Sequence, residues 1–388
     1  MLFAGLQKNL DERAAQGLLR QRSTVQTPQS PHIEVDGRAC LSFCSNDYLG
    51  LAHHPQLTAA LQQGAAQWGV GAGAAHLISG HFEAHQQLEQ QLAAFVGQPE
   101  ALLFSTGYMA NIGVVQALAG KGDTIFAEKL NHASLNDAML LSRADVQRYR
   151  HNDMAHLESL LRKKSEASPA GRKLILTDAV FSMDGNLAPL PELLVLCERY
   201  DAWLLLDDAH GFGVLGPQGR GTLAHFGLAS PRMIYMATLG KAAGVFGAFV
   251  AAESIVIETL VNHARSYIYT TASPPALAVA LQQSIRLIEQ GDALRAHLHS
   301  LIGKLRAGLS NLRWPLMLSE TAIQPLLIGD NTAALALSAG LRERGLWVVA
   351  IRPPTVPEGT ARLRITLSAA HTESDVDALI GALHELAG

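Results

Sequence analysis

From residue 101 onward, short apolar runs alternate with amphipathic stretches. The runs cover 101–104, 124–127, 146–149, 174–177, 203–206, 233–237 and 248–251. They are too short for buried helices and have the length of strands covered on both faces. Apolar positions at helical spacing separate most of them, predicting helices over 111–118, 134–141, 154–161 and 190–200. Strands joined by helical crossovers imply an α/β fold with a mostly parallel seven-stranded sheet and helices on both faces.

Upstream, Leu6, Leu10, Ala14, Gly17 and Leu18 recur at helical spacing and predict a helix over 6–21. A Pro/Ser/Thr/Gln-rich connector over 24–31 leads to a hairpin over 33–43 around Asp36-Gly37. Helices over 55–68 and 82–95 flank a glycine cluster at 69–80, which follows a helix rather than a strand and reads as irregular backbone. After Ser273-Pro274-Pro275 comes a long helical region, 276–312, with a break at Gly291. Strands at 323–328, 347–351 and 363–367 then alternate with helices at 333–342 and 373–386. The chain therefore divides into an N-terminal segment (1–45), a large domain (46–285) and a small C-terminal α/β domain (286–388).

Composition narrows the function. A chain of 388 residues, 48% hydrophobic and 16% charged, suits an enzyme-sized globular protein. Its formal net charge of -4, with charges interspersed, leaves no basic stripe for nucleic acid. Cys40, Cys44 and Cys197 form no C-x-x-C pair, which favours a reducing compartment, and no h-region opens the chain, so the cytoplasm is expected.

The chemistry concentrates at strand ends, where open α/β sheets bind ligands. One run delivers Asp207, Asp208 and His210 to a glycine turn, and the next delivers Thr238 and Lys241. Lys241 is the only charged residue between Met233 and Ala252, so it should be desolvated and its amine nucleophilic. A membrane span over that stretch is disfavoured, because a central lysine costs about 2.5–3.5 kcal/mol and three glycines interrupt it. Gly211-Phe212-Gly213-Val214-Leu215-Gly216 fits a dinucleotide fingerprint, but Pro217 follows and no acid occurs until Glu253.

Ser105-Thr106-Gly107-Tyr108 enters a helix and offers an anion site; Asn131-His132 also opens a helix, and Ser182 and Asp184 follow another strand. A phosphate site, an acid at a strand end, a nearby histidine and a desolvated lysine together meet the needs of pyridoxal phosphate. Alternation puts Asp207 and Asp208 on opposite faces, and residue order alone does not say which faces inward.

The chain resembles the α-oxoamine synthase family of fold-type I pyridoxal-phosphate enzymes. The likeness rests on Ser45-Asn46-Asp47-Tyr48-Leu49-Gly50, Ser105-Thr106-Gly107-Tyr108, Asn131-His132-Ala133-Ser134, Phe181-Ser182-Met183-Asp184-Gly185, Asp207-Asp208-Ala209-His210-Gly211, Thr238-Leu239-Gly240-Lys241 and Arg352-Pro353-Pro354-Thr355-Val356-Pro357. The closing run Gly359 to Ser368 points to the member serving biotin synthesis. The resemblance implies that Lys241 holds the cofactor and moves the substrate proton, Asp207 faces the pyridine nitrogen, His132 stacks on the ring, and His210 and Ser182 lie on its hydroxyl side. Gly107, Tyr108 and Thr238 would bind cofactor or phosphate, and Thr270 or Thr271 would reach the phosphate of the partner subunit in a homodimer. Arg20, Asn46, His132, Arg352 and Thr355 would bind substrate, Arg352 and Thr355 near the amino acid and Arg20 against the acyl chain. No metal is implied. The reaction would be a decarboxylative condensation of L-alanine with a pimeloyl thioester on coenzyme A or acyl carrier protein. A sister activity using glycine or serine is the alternative. Two departures stand out: His76 replaces an arginine common in relatives, and Lys241 to Gly247 is a looser glycine loop.

Overall fold

A computed structural model describes residues 3–20, 22–168 and 170–388. Its strands are β1 (His32–Val35), β2 (Arg38–Ser42), β3 (Glu100–Phe104), β4 (Thr124–Glu128), β5 (Asp145–Tyr149), β6 (Lys173–Asp178), β7 (Trp203–Asp207), β8 (Met233–Thr238), β9 (Ala248–Ala252), β10 (Ile323–Gly329), β11 (Leu346–Trp347), β12 (Val349–Ile351) and β13 (Ala361–Thr366). All seven expected strands are present in one sheet of order β3-β9-β8-β7-β6-β4-β5. Only β9 runs antiparallel to its neighbours.

Strand β7 shows why the runs are continuous. Leu204 and Leu206 enter one apolar cluster and Leu205 enters another on the opposite face. Each of the three is fully buried, and burying one leucine side chain contributes roughly 1.5–3 kcal/mol. A polar residue at any of them would lose that term and face an apolar layer.

Three expectations are corrected. The first helix spans Ala4–Ala15 and stops short of residue 21, because Gly17 adopts φ 66°. Leu18 N–H donates to Arg13 O (2.8 Å) and Gly17 N–H to Ala14 O (2.9 Å), a glycine-terminated helix end. Arg20 therefore lies on an irregular segment and not on a helix face. The expected strand over 347–351 is two strands in two sheets: β11 pairs parallel with β2, and β12 antiparallel with β13. Buried Val348 marks the division.

The break at Gly291 is present, between helices Pro275–Glu289 and Asp292–Gly308. Gly211 begins a turn, not a helix; a Cβ there would collide with the side chains of Asp208 and Thr222. Among the described residues no helix is long and apolar enough to cross a membrane.

Candidate active site

The floor of the site is the end of β7. Asp207 follows Leu205 onto one face and Asp208 follows Leu206 onto the other. The Asp207 carboxylate accepts from Asn111 Nδ2 (2.8 Å) and Ala209 N–H (3.1 Å). Asp208 accepts from Thr222 N–H (2.7 Å), Thr222 Oγ1 and Tyr235 OH (2.8 Å), and burial pushes its carboxyl up to about 6. Asp207 alone shares the face carrying the other candidate groups.

Asn111 sits in the first turns of the helix Gly107–Leu118, whose start is capped by Thr106 Oγ1 accepting from Met109 N–H (3.2 Å). Its second N–H donates to Ser134 Oγ (2.9 Å), and Ser134 Oγ meets His132 Nδ1 (2.8 Å). Asp207, Asn111, Ser134 and His132 thus form one network. His132 caps the helix Ala133–Ser142, accepting from Ser134 N–H at 3.3 Å, while its backbone N–H donates to Asp178 Oδ2 (2.8 Å). Burial holds His132 below the usual imidazole value, partly opposed by Asp207. Asp178 is raised well above the ordinary carboxyl range, by burial first and by Asp207 second.

A second network fixes Lys241. Arginine has only donors, so Arg364 (3.2 Å from each terminal nitrogen) makes Asn46 Oδ1 the acceptor, and Tyr48 OH must donate to that same oxygen (3.1 Å). The contact between Tyr48 OH and His210 Nδ1 (2.6 Å) then places the ring proton on Nδ1, leaving Nε2 to accept from Lys241 Nζ (2.9 Å). Burial, then Lys241 and Arg364, keep His210 well below its ordinary value and therefore neutral. Burial also lowers Lys241 to about 8, against the opposing pull of Asp207 and Asp178.

Thr238 ends β8 beside Gly107, where an added Cβ would stand 2.6 Å from Thr238 Cγ2. Close approach between that helix start and β8 requires glycine here. Tyr108 is exposed and donates to Asp137. Ser182 is half-buried, its carbonyl accepting from Arg364 Nε (2.6 Å), and neighbouring Asp184 pairs with Arg362 (2.7 Å).

Other expected residues gather elsewhere. Arg20, Arg352 and Thr355 line one cavity of about 440 Å³ with Arg13 and Leu18. Arg352 donates to Gly17 O, and its buried Nε has no partner among the described residues. Among the described residues no hydrogen bond joins this group to the Lys241 network. Thr270 and Thr271 lie before Ala272, whose N–H donates to Ala74 O (3.0 Å); among the described residues no hydrogen bond links them to Lys241.

Tyr48, Asn111, Asp178 and Arg364 were not anticipated as site residues. The usable signal was Arg364 itself: β13 is buried at all six positions yet carries two arginines.

A capped helix start, a lysine held near neutrality, a braced carboxylate and the His132 ring fixed by Ser134 form a donor set that fits pyridoxal phosphate. A family model described as aminotransferase class I and II matches residues 38–383. The chain is 62% identical over 98% of its length to the 8-amino-7-oxononanoate synthase of Nitrosospira multiformis, covering 96% of that protein. It is 60% identical, over the whole of both chains, to the enzyme of the same name from Nitrosomonas europaea. Among solved structures, the serine palmitoyltransferase of S. paucimobilis with bound PLP-myriocin aldimine superposes at TM-score 0.92, with 29% identity over 99% of this chain and 97% of that one. An 8-amino-7-oxononanoate synthase from Francisella tularensis superposes at 0.76, with 30% identity over 89% and 97%.

Proposed function

The chain belongs to the aminotransferase class I and II family, and on that premise we propose that it condenses L-alanine with a pimeloyl thioester to give 8-amino-7-oxononanoate, carbon dioxide and the free thiol carrier, a step of biotin synthesis. Its cofactor is pyridoxal phosphate. The observation that carries the reading is 62% identity over 98% of the chain to a synthase of that name. Backbone likeness does not choose the amino acid, since a serine-named enzyme superposes better at less than half that identity.

What pyridoxal phosphate supplies when bound is an electron sink for the α-carbon of the amino acid. Lys241 would hold it and would take the α-proton of the substrate; an amine lowered to about 8 can both accept and return a proton near neutral pH. His210, neutral and accepting from Nζ, keeps that amine pointed at one place. Asp207, braced by Asn111, would face the pyridine nitrogen and keep it protonated. Asn111 and Ser134 fix the His132 ring through the Ser134 hydroxyl. The helix start at Thr106-Gly107, with Tyr108 and Thr238, would hold the phosphate. Ser182 would lie on the hydroxyl side of the ring.

Arg352 and Thr355 would meet the amino-acid carboxylate, with Asn46 beside it. Arg20 would grip the far carboxylate of the pimeloyl chain through paired charge-assisted bonds. Thr270 or Thr271 would complete the phosphate site of a partner subunit in a homodimer. The free cysteines suit the cytoplasm.

Product analysis tests this reading: purified enzyme is offered alanine, glycine and serine against pimeloyl thioesters of coenzyme A and acyl carrier protein. Alanine with a pimeloyl donor should give the dominant product. Preference for glycine or serine would move the chain to a sister activity.

A further inference from the structure

The glycine-rich loop and the helix after it carry chemistry that the Lys241 site does not use. His76 opens a single turn over His76–Gly80, His81 follows that turn, and His85 lies in the first turn of the helix Glu83–Val96. One ring nitrogen of each stands within 4.8 Å of one from each of the others. His76 and His85 are buried and His81 is exposed. We propose that His76, His81 and His85 form a binding site for a divalent transition-metal ion of the zinc class, with water from the adjoining cavity as the fourth ligand.

Spacing supports the assignment. His76 Nδ1 and His81 Nδ1 are 3.0 Å apart. Two nitrogens bound to tetrahedral zinc at about 2.0–2.1 Å lie about 3.3 Å apart, so a small opening of this pair seats an ion. Orientation supports it too, because a metal-bound imidazole usually gives its other N–H to a carbonyl or carboxylate. His85 Nε2 already meets Ser273 O at 2.9 Å. His81 Nε2 faces Gln86 Oε1 at 3.4 Å and Glu89 Oε2 at 3.8 Å. Both outer partners leave Nδ1 as the lone-pair nitrogen. Two bonds are exchanged on binding: the one between His76 Nδ1 and His81 Nδ1 (3.0 Å) and that from Phe82 N–H to His85 Nδ1 (3.1 Å).

Protonation state does not compete. Burial holds His76 down to about 3 and His85 to about 4, so both are neutral ligands at physiological pH. An entry path exists through a cavity of about 680 Å³ lined by His76, His81, Gln86, Glu89 and Tyr267. Three imidazoles without a thiolate select zinc, copper or nickel over magnesium or calcium. His85 is bonded to Ser273, and Ala272 to Ala74. A bound ion would therefore tie the glycine loop to the segment carrying Thr270 and Thr271.

Chelator-washed holoenzyme is titrated with zinc chloride by calorimetry, and with cobalt(II) for its d–d absorption. One ion per chain is expected, with a cobalt spectrum of tetrahedral type and a zinc-dependent rise in Tm. Glu89→Gln keeps the acceptor for Leu103 N–H and should weaken zinc by about 10- to 100-fold, the range for an outer partner of a ligating histidine. His81→Gln, at an exposed position, should keep the fold by circular dichroism and lose both the cobalt spectrum and the Tm rise. Absence of stoichiometric zinc on the wild-type holoenzyme, or equal affinity in wild type and His81→Gln, would overturn the site.

Discussion

The Lys241 network and the Arg20 pocket are built from different parts of the fold. Asp207, Asp178 and His132 stand at strand ends or a helix start of the main sheet and Lys241 in the loop just after β8, and two hydrogen-bond networks with distances of 2.6–3.3 Å hold them. Arg20 is exposed on an irregular segment after the first helix, and its neighbours Arg352 and Thr355 ride a proline-rich loop. Groups on regular elements, or bonded into such networks, are held to the tolerance that proton transfer needs; groups on loops outside them are not, and they suit the part of a site that selects among substrates. Chemistry should therefore fail outright when the first region is altered, while only preference shifts when the second is.

Lys241→Ala is the largest break. It should lower kcat by on the order of 10⁴-fold or more, as for loss of a nucleophile elsewhere, with the circular dichroism unchanged. Near-normal product formation would remove Lys241 from the chemistry.

Asp207→Asn should keep cofactor yet slow α-proton exchange by roughly 10²- to 10³-fold, because a neutral amide cannot hold the ring nitrogen protonated. Asp208→Asn tests the facing: it should lower Tm with little effect on exchange, since Asp208 serves Thr222 and Tyr235. The reverse pattern would invert the strand assignment.

In the loop region, Arg20→Ala should raise KM for the pimeloyl thioester about tenfold, worth about 1.4 kcal/mol, and leave KM for alanine nearly unchanged. It should also narrow the preference for pimeloyl over an uncharged chain of equal length. Unchanged discrimination would take Arg20 out of the pocket.

The smallest effect is a pH dependence. Only the neutral amine of apoprotein reacts with added pyridoxal phosphate, and the Lys241 value is lowered from 10.5 to about 8. The neutral fraction is then about 0.24 at pH 7.5 and about 0.9 at pH 9, so the reconstitution rate should rise about fourfold and flatten. An unperturbed lysine would instead rise about thirtyfold over that interval and keep climbing. Stopped-flow absorbance separates the two.

What the sequence determined by itself is whatever is encoded locally. The inner sheet strands carry contiguous apolar runs, because both their faces meet apolar layers, whereas edge strand β5 reads Asp-Val-Gln-Arg-Tyr and is only partly buried; Lys241 stood out as one charge in twenty residues. The end of the first helix was misread because Gly17 fits the apolar spacing, while its positive φ, not its hydrophobicity, stops the helix. Other features depended on partners distant in the chain. Asp207 and Asp208 alternate in any strand, but the inward one is defined by Asn111, 96 residues earlier. Arg364 reaches Asn46 across 318 residues and so sets the tautomer of His210 and the direction of Lys241. Strands β11 and β12 are one apolar stretch in sequence, divided because their pairing partners lie in different sheets. Periodicity reports which face of an element is buried; only tertiary packing decides what that face meets, because the energy of a hydrogen bond or buried charge depends on neighbours brought from elsewhere in the chain.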